Sequence, residues 1–238
     1  MGAVTRCLVV CAAPLGEVAH REQYTDFAPD IIIAADGGYL HCDQMGLVPD
    51  AILGDFDSAP LPDRPDIVVY PSHKDDTDCM LALREGIARG AGDFLLLGCT
   101  GGRLDHTLAA IQSLGWLQEQ GARGSILDDS HLLTLLGDGD SLEVAYGCQY
   151  ISLLSLSDSC EGVSISGVEY PLYTTPLQGA SLSGLATKLS SNAVTLPSVA
   201  AGCLLLLYCR IGALKDEHRD CYHIKCRAGA PSTDGSLP

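Results

Sequence analysis

Ala51-Ile52-Leu53-Gly54-Asp55-Phe56-Asp57-Ser58 is the stretch whose reading decides the fold. Three apolar residues run directly into a glycine-initiated turn carrying two carboxylates and a hydroxyl, the pattern of a strand that ends in an acid-rich loop. Carboxylates two positions apart in an irregular turn can face one point. Like charges that close repel unless a cation or a shared proton lies between them. Hard oxygens of this kind suit Mg²⁺, which takes one or two carboxylates, keeps several waters and completes its shell with phosphate. The same residues also make an ordinary exposed turn, because Gly, Asp and Ser form turns for local reasons.

Working outward, the texture repeats. Residues 6–12 are a continuous apolar run, as expected of a strand covered on both faces of a parallel sheet. Ile31-Ile32-Ile33-Ala34-Ala35 leads into Asp36-Gly37-Gly38, and Ile67-Val68-Val69-Tyr70 leads into Pro71-Ser72-His73-Lys74-Asp75-Asp76-Thr77-Asp78. Phe94-Leu95-Leu96-Leu97 leads into Gly98-Cys99-Thr100-Gly101-Gly102-Arg103-Leu104-Asp105-His106. Residues 78–89 and 105–120 carry helical periodicity between these runs. Alternating strands and helices predict an α/β domain with a Rossmann-like parallel sheet. Ligands of such sheets sit at the carboxyl ends of the strands, so Asp36, Asp55, Asp57, Asp75, Asp78 and Asp105 are expected to converge there.

Near residue 138 the sequence becomes rich in Ser, Gly, Thr and Leu, with short alternating runs such as Tyr150-Ile151-Ser152-Leu153 and frequent turn signals. That predicts an all-β sandwich domain. The expected division is 1–137 for the α/β domain, 138–212 for the β-sandwich and 213–238 for a mobile tail.

Composition narrows the partners. With 30 acids against 14 bases the chain carries a formal charge of −16, which argues against a nucleic-acid backbone or an anionic membrane as partner. No apolar run is long enough to span a bilayer. The 11 cysteines are scattered, form no C-x-x-C pair and read as reduced thiols in a cytoplasmic protein.

The motifs in order, Ala35-Asp36-Gly37-Gly38, Gly54-Asp55-Phe56-Asp57-Ser58, Lys74-Asp75-Asp76-Thr77-Asp78, Gly101-Gly102-Arg103-Leu104-Asp105-His106, then Gly167-Val168-Glu169-Tyr170-Pro171-Leu172 and Ser191-Asn192, resemble the thiamine pyrophosphokinase (thiamine diphosphokinase) family. The resemblance covers about residues 6–210. It implies an N-terminal α/β catalytic domain that binds ATP and Mg²⁺, a C-terminal β-sandwich that binds thiamine, and a homodimer with active sites between subunits. It also implies transfer of the pyrophosphoryl group of ATP to the hydroxyl of thiamine, with release of AMP.

Within that frame Asp55, Asp57 and Asp78 are the first choices as Mg²⁺ ligands, with Asp75 and Thr77 beside them. Gly101 and Gly102 offer backbone N–H groups to phosphate, and Lys74 and Arg103 supply positive charge. Asp36 and Asp105 either orient the thiamine hydroxyl or hold a metal-bound water, and His106 either meets the nucleotide or partners Asp105. Ser191 and Asn192 are the candidate thiamine contacts. The rival readings are a non-catalytic nucleotide- or thiamine-binding module and a Mg-dependent kinase of another alcohol.

Overall fold

The structure is a computed structural model, and it describes residues 3–16, 26–56, 67–69, 76–145, 150–178, 185–188, 193–196, 203–208 and 225–227. The chain divides into two compact units, Met1–Leu135 and Leu136–Pro238.

In chain order the first unit contains β1 (Thr5–Val10), β2 (Ile31–Ala35), α1 (Gly38–Met45), β3 (Ala51–Gly54), β4 (Ile67–Val69), α2 (Asp78–Ala88), β5 (Ala91–Leu97), α3 (Leu104–Glu119), β6 (Arg123–Leu127) and β7 (His131–Leu136). The strands line up as β7-β6-β5-β1-β2-β3-β4. Every neighbouring pair is parallel except β6 with β7. Strand order therefore reverses at β1, which has β2 on one side and β5 on the other. The crevice at the carboxyl ends of β1 and β5 is the topological switch point of the sheet.

Burial on both faces explains why these strands read as unbroken apolar runs. Cys7, Leu8, Val9 and Val10 are all fully buried. One face, with Leu8, Val10, Ala34, Ile52, Leu95 and Leu97, is covered by Tyr39, Cys42 and Met45 of α1. On the other, α2 lies so close to the sheet at Gly86 that a Cβ there would sit 2.5 Å from Phe94. Helix α3 presents Leu114 and Leu117 to Gly124 of β6. Burial pushes the Cys7 thiol up to about 12.

The second unit contains β8 (Ser141–Ala145), β9 (Tyr150–Ser155), β10 (Ser159–Ile165), β11 (Leu172–Gln178), β12 (Leu185–Lys188), β13 (Ala193–Leu196), β14 (Cys203–Tyr208) and β15 (Lys225–Arg227). Pairing is antiparallel throughout: β9 lies between β12 and β14, β8 lies between β13 and β15, and β10 pairs with β11. No helix occurs among the described residues of this unit. Ile151 and Leu153 of β9 point inward in the alternation expected of a half-buried strand.

Two expectations change. The segment read as a mobile tail contributes β15, whose Cys226 lies opposite Leu142 of β8. Its alternating Lys-Cys-Arg sequence carries too little apolar signal to announce a strand. Cys160 is disulfide-bonded, so the cysteines are not all reduced thiols; Cys7, Cys11, Cys42, Cys79 and Cys99 are outside any disulfide. Among the described residues no helix is long and apolar enough to cross a membrane.

Two glycines on the same helix–strand layer give opposite tests of this packing. A Cβ on Gly124 would lie 2.6 Å from Leu117, whereas Gly115, inside α3, has nothing within 4 Å. Gly124→Ala is expected to cost about 1–3 kcal/mol through overpacking. Gly115→Ala is expected to add up to about 1 kcal/mol through helix propensity. Urea unfolding of the two variants measures both signs.

Candidate active site

Close backbone packing brings the acid-bearing loops together. Gly38 opens α1 against the end of β1, where a Cβ would meet the Val10 carbonyl oxygen at 2.0 Å. After β5, a Cβ on Gly98 would lie 2.4 Å from the Cys11 carbonyl oxygen. The ends of β1 and β5 are further joined by Cys11 N–H to Leu97 O at 2.8 Å and Ala13 N–H to Gly98 O at 2.9 Å. His41 Nε2–H of α1 donates to Ala13 O at 3.0 Å.

Asp36 follows β2. It is 8% exposed, sits at φ +47°, and donates its N–H to Leu53 O at 2.7 Å. The left-handed region is tolerated by Asp better than by most residues. Its neighbour across the sheet is Gly54, where a Cβ would lie 2.9 Å from Asp36 Cα. Asp55, half-buried, comes next on that strand end, followed by Phe56 at φ +54°. Asp36 and Asp55 thus stand on adjacent strand ends.

Asp78 begins α2 behind the N-cap Thr77, whose Oγ1 accepts the Met80 N–H at 3.2 Å. The hydroxyl therefore caps the helix, leaving the Asp78 carboxylate at its positive end. Asp76 binds Arg84 through Oδ2 to Nε at 3.0 Å, and the Arg84 guanidinium lies 5.1 Å from the Trp116 ring centre. Asp57, Lys74, Asp75, Ser191 and Asn192 lie outside the described residues.

After β5 the chain forms the Gly101-Gly102-Arg103 turn, exposed, with Gly101 at φ +79°. Arg103 caps α3 and grips Asp105 through two contacts, Nη2 to Oδ2 at 2.5 Å and Nε to Oδ1 at 3.1 Å. The Arg103 guanidinium, chiefly by this hydrogen bonding, brings the Asp105 carboxyl down to about 2. Such an acid is ionised but a weak base. His106 is exposed on the first turn of α3.

Two groups in this region escaped the sequence reading. Asp128, after β6, accepts the Thr100 hydroxyl at 2.8 Å, the Ser130 N–H at 2.8 Å and the His131 N–H at 2.7 Å. It thereby ties the glycine turn to the next strand end. The same rule that selected the other acids would have found it, since Ser125-Ile126-Leu127 runs straight into Asp128-Asp129. The other group is Cys11, Cys79 and Cys99, whose sulfurs lie within 4.8 Å of one another. Hydrogen bonding to Cys79 and Cys99, together with burial, holds the Cys11 thiol well above its ordinary range. Residues from two strand ends and a helix start leave no spacing signal. Their meeting nevertheless places the start of α2 over the switch point, beside the ends of β1 and β5.

The donor set fits a hard divalent cation. The buried carboxylate of Asp36, the half-buried one of Asp55 beside it and that of Asp78 at a helix start all offer hard oxygen atoms, the donor type such a cation takes.

Fold and site together define an α/β domain whose acid-bearing loops stand at the carboxyl edge of a doubly wound sheet. Residues 24–125 match the family model described as thiamin pyrophosphokinase, catalytic domain. The thiamine pyrophosphokinase of Bacillus subtilis (strain 168) is 28% identical over 172 residues, 69% of this chain and 80% of that protein. The crystal structure of the Bacillus subtilis enzyme superposes with a TM-score of 0.75 at 24% identity, covering 87% of this chain and 100% of that one. The Geobacillus thermodenitrificans enzyme gives 0.72 at 26% identity, covering 86% and 97%. By these matches residues 24–125 resemble a thiamin pyrophosphokinase catalytic domain, and the fold is that of the solved thiamin pyrophosphokinases.

Asp128 supplies a test of the hydrogen bonding that supports the glycine turn. Burial alone would raise its carboxyl, but the Ser130 N–H, the Thr100 hydroxyl and His131 outweigh this and hold it below the usual range. A lowered folded value stabilises the protein above the ordinary Asp range, near 3.9, and the benefit disappears as pH falls through the lowered value. Asp128→Asn is therefore expected to cost about 1–2 kcal/mol at neutral pH. In urea melts the difference from wild type should shrink toward zero as the pH is taken below about 3.

Proposed function

We propose that this chain is a thiamine diphosphokinase, moving the pyrophosphoryl group of ATP to the hydroxyl of thiamine. What supports the reading is that Asp36 and Asp55 stand on adjacent strand ends, while Asp78 opens α2 and the Gly101-Gly102-Arg103 turn leads from β5 into α3. Transfer to phosphorus depends mainly on positioning and on neutralising charge spread over phosphate oxygens. A bound Mg²⁺ supplies most of that neutralisation; Asp55 and Asp78 would hold it, together with Asp57 and Asp75.

The backbone N–H groups of Gly101 and Gly102 approach the polyphosphate, with Arg103 and Lys74 meeting its outer oxygens. Asp36, the buried acid at the end of β2, orients the acceptor hydroxyl. The alcohol oxygen bonds to the β-phosphorus as its proton passes to solvent, the bond from that phosphorus to the α–β bridging oxygen breaks, and AMP leaves with the electron pair. Asp105, weakly basic in its pair with Arg103, is a positioning residue for the guanidinium. His106 stands beside this pair as a further nucleotide contact. Ser191 and Asn192 contact thiamine, and the chain works as a homodimer with active sites between subunits.

A coupled assay of AMP formation, run with and without thiamine, tests the reaction. AMP release that does not require thiamine would overturn it. Asp55→Asn is expected to lower turnover by two to three decades, about 3–4 kcal/mol, at saturating Mg²⁺ with the melting temperature unchanged or higher. Ser191→Ala should raise the KM for thiamine by roughly two- to tenfold while leaving the KM for ATP in place, the scale of one neutral hydrogen bond.

A further inference from the structure

We propose that Cys11, Cys79 and Cys99 form a three-thiolate site for a thiophilic cation of the Cu⁺ or Zn²⁺ kind at the switch point of the sheet. All three sulfurs lie within 4.8 Å of one another, and Cys11 and Cys99 are 3.4 Å apart. Three sulfurs bound about 2.3 Å from one ion stand about 3.8–4.0 Å apart. Closing the cluster on an ion therefore takes side-chain shifts of about an ångström or less.

The ligands are pre-positioned by rigid elements, which is what a metal site needs. Cys11 and Cys99 sit on strand ends joined by Cys11 N–H to Leu97 O and Ala13 N–H to Gly98 O, and Cys79 occupies the first turn of α2 behind its Thr77 cap. Cys11 and Cys99 are buried at 8% and 5% exposure, and Cys79 is half-buried. Each thiol releases its proton to solvent as it coordinates.

Soft sulfur and hard oxygen sort ions between them. Thiolates select Cu⁺ and Zn²⁺, whereas the neighbouring carboxylates select Mg²⁺, so the two sets do not compete for one ion. An ion on the sulfurs would fasten Cys79, one residue after Asp78, to Cys99, two residues before Gly101. The start of α2 would then be locked to the glycine turn, and turnover would fall. That last consequence rests on the proposed reaction; the binding site itself does not.

The test uses the full chain, reduced and stripped with a chelator. It is titrated with Cu⁺ and separately with Zn²⁺ against chromogenic competitors, and with Cd²⁺ to read the ultraviolet thiolate-to-metal charge-transfer band. Wild type and a Cys42→Ser control are expected to bind one more ion per chain than the triple variant Cys11→Ser/Cys79→Ser/Cys99→Ser. Cys79→Ser alone should weaken binding by at least about tenfold. Whichever of Cu⁺ and Zn²⁺ shows the larger wild-type-minus-triple difference is the ion the site takes. Equal stoichiometry and affinity in wild type and a folded triple variant would overturn the site and leave the cysteines as packing residues. If the triple variant does not fold, unchanged affinity in Cys79→Ser, with its folding checked by circular dichroism, overturns it equally.

Discussion

The constraint on which this site depends is backbone meeting backbone with no side chain between. At Gly38 and Gly98 the space a Cβ would fill is already held by the carbonyl oxygens of Val10 and Cys11. A carbonyl cannot swing away as a flexible side chain can, so these contacts fix where α1 and the loop after β5 leave the sheet. Gly54 does the same for the Asp36 backbone. The acids gather at one edge because the chain there is packed at main-chain distance, with hydrogen bonds such as Asp36 N–H to Leu53 O closing the remaining freedom.

Gathering negative charge in a chain with a formal charge of −16 is costly unless each carboxylate has compensation. The structure answers differently at each position. Asp128 is satisfied by hydrogen-bond donors, Asp105 by a guanidinium, Asp76 by Arg84. Asp78 stands at a helix start, where the dipole favours it. Asp36 and Asp55 stand on adjacent strand ends, one buried and the other half-buried.

Much of the α/β architecture was legible in the sequence, and the reason is physical. Strands buried on both faces must be apolar throughout, and Cys7 to Val10 or Ala51 to Leu53 can hardly be read otherwise. Helices α2 and α3 announced themselves by periodicity, with Thr77-Asp78 at the start of one. What stayed hidden depends on three-dimensional proximity. Cys11, Cys79 and Cys99 are far apart in sequence, and only the parallel register of β1 with β5, with α2 laid over both, brings their sulfurs together. The pairing of Arg103 with Asp105 likewise depends on side-chain conformation at a helix start. In the second unit β15 was missed because three residues are too few to show a period. Of the site residues named from sequence, Asp57, Lys74, Asp75, Ser191 and Asn192 fall outside the described residues.

The fork of Arg103 already holds an anion, the carboxylate of Asp105 two residues away. Any anion arriving at this turn therefore binds by exchange rather than by addition. Its affinity is the difference between two ion pairs, one of which is intramolecular and always present at high local concentration. A small singly charged anion gains little from the swap. A polyphosphate, with several charged oxygens to spread over guanidinium and backbone N–H groups at once, has enough in reserve to displace the carboxylate. Because both side chains are largely exposed, solvent screens this pair and the exchange asks little of the incoming anion.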